Sequence, residues 1–235
     1  MKNTLVEVKN LRLQRGTFSL HVPSWALQPG EVVGLVGPNG AGKTTLLEAI
    51  AGLRPAQAEH LQVLGHEPWQ HPSIVRLSLG FMWDDMPIFA MKIGQLLRLV
   101  SGYYPSWDKT LVEELLERFQ LDPNQPSDEL SKGQGTRLRL LLALAFQPKV
   151  LLLDEPAAGL DLAGKRALLE IVMDVVRGSE RSVVISSHML SDVERLADRL
   201  LVLNQGEVLQ NGKTDELVGE ERTLEEALLV WGAAG

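Results

Sequence analysis

The sequence contains no cysteine, which removes disulfides, thiol catalysis and cysteine-ligated zinc or iron–sulfur centres. Long apolar runs are also missing. The longest, Leu140–Phe146 and Val150–Leu153, fall far below the roughly 18 residues that would cross a bilayer. The opening stretch Met1–Asn10 has no apolar core of the signal-peptide kind, so a soluble, cytoplasmic chain is expected. Basic residues are outnumbered, 23 Lys and Arg against 30 Asp and Glu for a net charge of −7, and they form no run. No nucleic acid is therefore expected as a partner, because that affinity comes mainly from Lys and Arg. What is plentiful is apolar material, 45% of 235 residues, enough for one sizeable core.

Periodicity distributes that material. Val6/Val8, Leu11/Leu13 and Phe18/Leu20/Val22 alternate as in half-buried strands, and Gln28-Pro29-Gly30 reads as a turn. Val32–Val36 is a continuous apolar run, as expected of a strand covered on both faces. Lys43–Leu53 reads as a helix with Leu46, Leu47, Ile50 and Leu53 on one side and Pro55 beyond its end. Residues 59–82 read as strand-rich. Between Pro87 and Leu130 the period becomes helical, with Leu111, Leu115, Leu116 and Phe119 in phase. From there helices (132–146, 163–177, 189–197) alternate with strands (150–154, 182–187, 200–204), the pattern of βαβ units and a parallel sheet. Asn204-Gln205-Gly206 and Asn211-Gly212 read as turns, and Thr223-x-x-Glu226 as a capping box. The helical stretch is expected to be an insertion, about 87–135, in a single α/β domain covering 1–235.

Gly37-Pro38-Asn39-Gly40-Ala41-Gly42-Lys43-Thr44 matches G-x-x-x-x-G-K-[ST] between a buried strand and a helix, the context its mechanism needs. Glycines let successive backbone N–H groups turn around a β-phosphate, and the helix N-terminus adds positive partial charge. Lys43 is expected to reach the β- and γ-phosphates, and the Thr44 hydroxyl to ligate Mg²⁺. The apolar run Val150–Leu153 ends in Asp154-Glu155, which delivers two carboxylates to the edge of a parallel sheet where ligands bind. Asp154 is placed to hold the Mg²⁺. Glu155 is placed to orient or deprotonate a water attacking the γ-phosphate. His188 ends another apolar strand at the same edge and is expected to contact the γ-phosphate. No Asn-Lys-x-Asp segment of the guanine-specific kind occurs, which favours adenine. His60, His66 and His71, with Glu59 and Glu67, are too irregularly spaced for a metal site and fit a solvated surface better.

Leu130-Ser131-Lys132-Gly133-Gln134 precedes that acid pair and opens a helix. Together with Gly37–Thr45, Asp154-Glu155, Gly159-Leu160-Asp161 and His188, in this order and spacing, it resembles the ATP-binding cassette (ABC) ATPases from about Leu5 to Leu229. The resemblance implies an α/β fold: a P-loop NTPase, RecA-like core with an N-terminal antiparallel β-subdomain and an inserted helical subdomain. It implies ATP and Mg²⁺ as ligands, with Thr45 joining the phosphate loop. It also implies a dimer, with itself or a related cassette, in which Ser131, Lys132, Gly133 and Gln134 of one subunit meet the ATP held by the other and Asp161 lies at the seam. Ser131 suits that role as a helix N-cap whose neighbouring N–H groups carry positive partial charge.

The sequence departs from the family in three places. Arg15, before Gly16, occupies the position of the aromatic that stacks on adenine, so that its guanidinium plane or Phe18 must serve. Asp84, within Trp83–Pro87, stands where a glutamine is expected, and remains able to touch Mg²⁺ or the attacking water. Lys132 replaces the second residue of the signature. The resemblance implies the ATP-hydrolysing subunit of a transporter whose membrane permease is a separate chain, with the cassette peripheral at the inner face of the cell membrane. Tyr104–Asp108, the Leu-Ser-Lys-Gly signature and the segment from Thr223 point to the exporter-associated type. Trp83, Trp107 and Tyr103-Tyr104 suit either core packing or anchorage of a partner helix. The alternative is a soluble ABC ATPase of regulation, repair or translation. Those proteins tend to carry tandem cassettes or a long coiled-coil insertion, and neither is found here. A third reading is a nucleotide-gated sensor with little turnover.

Overall fold

The computed structural model describes residues 4–83, 86–177, 179–187, 190–219 and 222–232. Burial alternates at Val6 and Val8 and, one residue out of phase, again at Leu11 and Leu13 of Val6–Arg15 (β1), the phase shifting around Asn10 at φ +47°, and the strand pairs antiparallel with Phe18–Leu27 (β2). Val32–Val36 (β3) is buried at every position and is followed by the helix Lys43–Ile50 (α1). His60–Val63 (β4) pairs antiparallel with β1. Pro72 then opens a short helix, Pro72–Arg76 (α2), ahead of Leu79–Trp83 (β5). Within the stretch of helical spacing lie Ile93–Ser101 (α3) and Lys109–Arg118 (α4). Lys132–Leu144 (α5) leads into Val150–Asp154 (β6), and Leu162–Val176 (α6) into Ser182–Ser186 (β7). Leu190–Leu196 (α7), Arg199–Asn204 (β8), Glu207–Lys213 (β9), Thr214–Val218 (α8) and Leu224–Val230 (α9) complete the order.

Among the described residues the strands form one nine-stranded sheet in the order β4-β1-β2-β9-β8-β3-β7-β6-β5. The stretch β8-β3-β7-β6-β5 is parallel throughout, whereas β8 and β9 form an antiparallel hairpin. The expected antiparallel N-terminal strands and parallel core therefore share a single sheet. Its two faces divide the core by the two-residue period of a strand. In β6, Val150 and Leu152 pack with Leu46, Leu47 and Ile50 of α1. Leu151 and Leu153 face the opposite way, into a cluster with Leu97, Leu115, Leu138, Leu141, Leu168 and Val172 from α3 to α6. A third cluster joins Leu200 and Val202 of β8 to Val193, Leu224 and Leu228.

The reading of Asn211-Gly212 as a turn is overturned. Both residues lie inside β9, Asn211 opposite Leu201 and Gly212 opposite Leu200. Tertiary pairing prevails there over local turn chemistry, and a side chain on Gly212 would press against Leu217 of α8 at 3.2 Å. The actual turn is the earlier one. Gly206 adopts φ +84°, and a Cβ there would lie 1.9 Å from the carbonyl oxygen of Ser19. The strand-rich reading of 59–82 misses α2, a five-residue helix too short to declare a period. The capping box at Thr223 and Glu226 is present at the start of α9.

Candidate nucleotide site

The site begins where β3 ends. Gly37 takes φ +147°, and a Cβ there would lie 2.1 Å from the carbonyl oxygen of Leu203. Only glycine lets the chain pass this close to β8. The loop enters α1 through Gly42, a left-handed N-cap that offers no side chain to the first turn of the helix. The leading amides of α1 and its macrodipole are thereby directed at whatever lies before them, an arrangement suited to an anion. What lies before them is a cavity of about 510 Å³ lined by Arg15, Phe18, Asn39, Gly40, Ala41, Gly42, Lys43, Thr44, Thr45, Asp154 and Glu155.

Lys43 is 7% exposed, and its Nζ donates to the carbonyl oxygens of Gly37 at 2.7 Å and Pro38 at 3.1 Å. Burial pulls its pKa below the usual lysine range, against the opposing pull of Glu155 and Asp154. A buried ammonium held only by carbonyls and nearby carboxylates gains strongly from an incoming phosphate.

Asp154 ends β6 and is 6% exposed. Thr44 Oγ1 donates to its Oδ2 at 2.5 Å, and the Ser186 hydroxyl donates to its Oδ1. Ser186, fully buried at the end of β7, is the strand partner of Asp154. Its Oγ and its carbonyl oxygen also accept the backbone N–H of Glu155, at 3.1 Å and 3.2 Å. Glu155 has φ +51°, a left-handed backbone uncommon for such a residue. Ser186 thus fixes both acids, one through its side chain and one through its backbone. Sequence reading missed this residue, and the available signal was small: a serine pair closing an otherwise apolar strand. Thr44 Oγ1 and the Asp154 carboxylate make a compact set of hard oxygen donors beside the phosphate loop. Such donors suit Mg²⁺, which is commonly held by one or two protein oxygens together with substrate phosphates.

Among the expected site residues, Asn39–Thr45, Arg15, Asp154 and Glu155 converge on this cavity, and Gly37 and Pro38 hold Lys43. Asp84 and His188 lie outside the described residues. The Leu130–Gln134 segment contributes nothing to the described lining of the cavity. Its cap is also more self-contained than expected. Gln134 N donates to Ser131 Oγ at 3.2 Å, and Gln134 Oε1 accepts from Ser131 N at 3.0 Å, forming a full capping box. Two of the amides expected to face a ligand are therefore already engaged. Asp161 caps α6 by accepting from Gly164 N at 2.7 Å and lies 3.8 Å from Arg137 of α5. Among the aromatics, Tyr104 stacks on Phe146 at 4.0 Å, whereas Tyr103 is 71% exposed. His60 lies 3.4 Å from Glu7, and His66 meets His71 edge-on. Among the described residues no His, Asp or Glu group could hold a metal ion by itself.

A glycine loop joining a buried parallel strand to a helix, with strand-end carboxylates facing it, defines a P-loop nucleotide-binding ATPase fold. Comparison with known proteins gives the family. The family model for the ABC transporter matches residues 20–158. The chain is 32% identical over 218 residues to the ABC transporter ATP-binding protein YtrB of Bacillus subtilis, covering 92% of this chain and 74% of that one. It is 33% identical over 229 residues to the sulfate/thiosulfate import ATP-binding protein CysA of Methylococcus capsulatus, covering 93% and 66%. A solved ATP-binding subunit of an ABC transporter superposes with a TM-score of 0.89 at 26% identity, covering 97% of this chain and all of the other. The chain belongs to the ABC transporter family, as one of its ATP-binding ATPase chains. Among the described residues no helix is long and apolar enough to cross a membrane.

Proposed function

We propose that two copies of this chain, or this chain and a related cassette, clasp two ATP molecules, and that hydrolysis drives a separate membrane permease from the inner face of the cell membrane. The observation that carries this reading is the convergence of the phosphate loop, Thr44, Asp154 and Glu155 on one cavity to which Ser131, Lys132, Gly133 and Gln134 add nothing. Such a site holds a nucleotide on one side only, which leaves room for the signature segment of a second subunit, with Asp161 at the seam.

In this arrangement the loop amides and Lys43 bind the β- and γ-phosphates. Mg²⁺, held by Thr44 and Asp154, would neutralise charge on the transferred phosphoryl group. Glu155 accepts a proton from the attacking water as its oxygen bonds to the γ-phosphorus. The bond to the bridging oxygen breaks, and ADP and inorganic phosphate leave. His188 is assigned to the γ-phosphate, and Asp84 to the water or the metal.

Gly133→Asp tests the composite site. A Cβ on Gly133 would meet nothing closer than the carbonyl oxygen of Gly159 at 3.5 Å, so the backbone has room for a side chain to begin there. The new carboxylate would face a partner's γ-phosphate. Turnover is expected to fall about a hundredfold, the scale of a lost transition-state contact, while calorimetric ATP affinity stays the same. Full turnover in this variant would sink the two-subunit arrangement.

Permease docking is supported by exposed apolar side chains on α2 and on the segments that follow α1 and α3. Leu53, Ile74, Leu77 and Tyr103 are exposed. Arg76 ties this region together: its Nη2 donates to the carbonyl oxygen of Gly52 at 3.1 Å, and its charge acts on the Tyr104 hydroxyl. A helix of the permease, apolar on one side, fits such a face. Ile74→Asp is expected to release the chain from the membrane fraction of its host without changing ATP affinity; undiminished membrane recovery would count against this face.

A further inference from the structure

Residues 86–107 include no acid, and Lys92 and Arg98 are their only charges. Both side chains are exposed, and among the described residues neither meets a carboxylate. Lys9, Arg54, Arg118, Arg199 and Lys213 differ, each having a carboxylate oxygen at 3.7 Å or less. Large apolar side chains lie among the two unpaired cations. Helix α3 buries Ile93, Leu96 and Leu97. Its outer side carries Gln95 and Leu99 in helical line with the N-cap Lys92, and Arg98 beside them. Leu99 is 46% exposed and Phe89, just ahead of the helix, 70%. A fixed backbone holds Phe89 out: the Ser127 hydroxyl donates to its carbonyl oxygen at 2.6 Å, and Ser127 N donates to the carbonyl oxygen of Met91 at 2.9 Å. Tyr103, past the far end of α3, is exposed as well.

The outer side of a helix is convex and gives a partner helix no groove to enter, whereas a layer of lipid headgroups moulds to it. Unpaired cations there meet lipid phosphates while Phe, Leu and Tyr side chains enter the boundary with the acyl chains, the composition of an interfacial helix. Tyr103 continues into the face assigned above to the permease, and on that reading the stripe lies beside a membrane. We propose that residues 89–103 form a contact surface for anionic phospholipid, through Lys92 and Arg98 to the headgroups and through Phe89, Leu99 and Tyr103 to the layer beneath. Two cations and three apolar side chains make a weak, reversible contact that adds to protein docking, since lasting attachment takes two such signals.

The test is sedimentation of the purified full chain, without any permease, with vesicles of phosphatidylcholine alone or of phosphatidylcholine with about one third phosphatidylglycerol. The unaltered chain is expected to sediment with the anionic vesicles, less so as salt rises, and to stay in solution with phosphatidylcholine. Lys92→Gln combined with Arg98→Gln is expected to weaken partition about thirtyfold, about fivefold for each cation. Lys9→Gln combined with Lys213→Gln changes the net charge equally but removes cations that have carboxylate partners, and is expected to leave partition within about twofold. ATP affinity should hold in both double variants, because none of the four residues lines the nucleotide cavity. The comparison of the two lipids in the unaltered chain stands whatever the variants do. Equal recovery with both lipids, recovery with neither, or equal losses in the two double variants would overturn the proposal. Vesicle binding unmoved by the Lys92 and Arg98 changes, with loss of the chain from the membranes of its host, would give this face to the permease instead. Because no permease enters the vesicle experiment, its failure leaves the transporter reading in place.

Discussion

Glu155→Gln is expected to lower ATP turnover by about 10²–10⁴-fold, the contribution of a positioned general base, while ATP remains bound and a closed two-subunit complex accumulates. The argument starts from what the substitution preserves. Gln has the length and shape of Glu, and the left-handed backbone at this residue is held by its N–H, which donates to Ser186 Oγ and O at 3.1 Å and 3.2 Å. Those bonds do not involve the side chain and survive the change. Asp154 keeps its own contacts with Thr44 and Ser186. What disappears is a proton acceptor and one negative charge near the buried Lys43. Losing the acceptor slows the attack of water, and losing the charge removes a repulsion from the triphosphate, so affinity is not expected to fall. Single-turnover kinetics and size-exclusion chromatography in ATP separate the two effects. Brisk hydrolysis by the variant would remove Glu155 from the chemistry. A variant that hydrolyses slowly yet fails to retain ATP would show instead that the substitution damages the binding site.

The parts of this site legible in the sequence are those whose geometry is local. From Val32 to Ile50, strand, loop and helix follow one another without interruption, and the motif therefore carries its own structural context. The same holds for β6, a run of apolar residues that must end at a sheet edge, and for Ser131, a cap beside its helix. The residues missed act through distant pairing. Ser186 matters because β7 lies beside β6 in a register that places it opposite Asp154, and no local pattern announces which strands are neighbours. Asn211-Gly212 shows the converse, a strong turn signal absorbed into β9 by pairing with β8. The capping box of Ser131 and Gln134 was legible as S-x-x-Q, a spacing that implies mutual satisfaction of the two amides more than readiness for a ligand.

Lys43→Ala is expected to weaken ATP binding by about 2–5 kcal/mol, thirtyfold or more, the cost of truncating one member of a desolvated charge pair. In the free protein Lys43 is 7% exposed, and its ammonium rests on the carbonyl oxygens of Gly37 and Pro38. Burial works against its charge, as the lowered pKa shows, and the nearby Glu155 and Asp154 compensate only in part. The fold therefore bears a desolvation penalty that is relieved when phosphate arrives. Removing the side chain abolishes that penalty together with the two carbonyl bonds, and these changes oppose each other in the free state. The thermal stability of the free chain is accordingly expected to shift little, while stabilisation by ATP collapses. At an ATP concentration one hundred times its dissociation constant, the unaltered chain gains about 2.7 kcal/mol, and a variant binding thirtyfold more weakly gains only about 0.9 kcal/mol. Melting curves with and without ATP, together with calorimetric affinity, measure both halves of this expectation. Equal ATP stabilisation in the two proteins would mean that Lys43 does not meet phosphate, and a large loss of stability without ATP would make its carbonyl contacts a structural clasp of the loop.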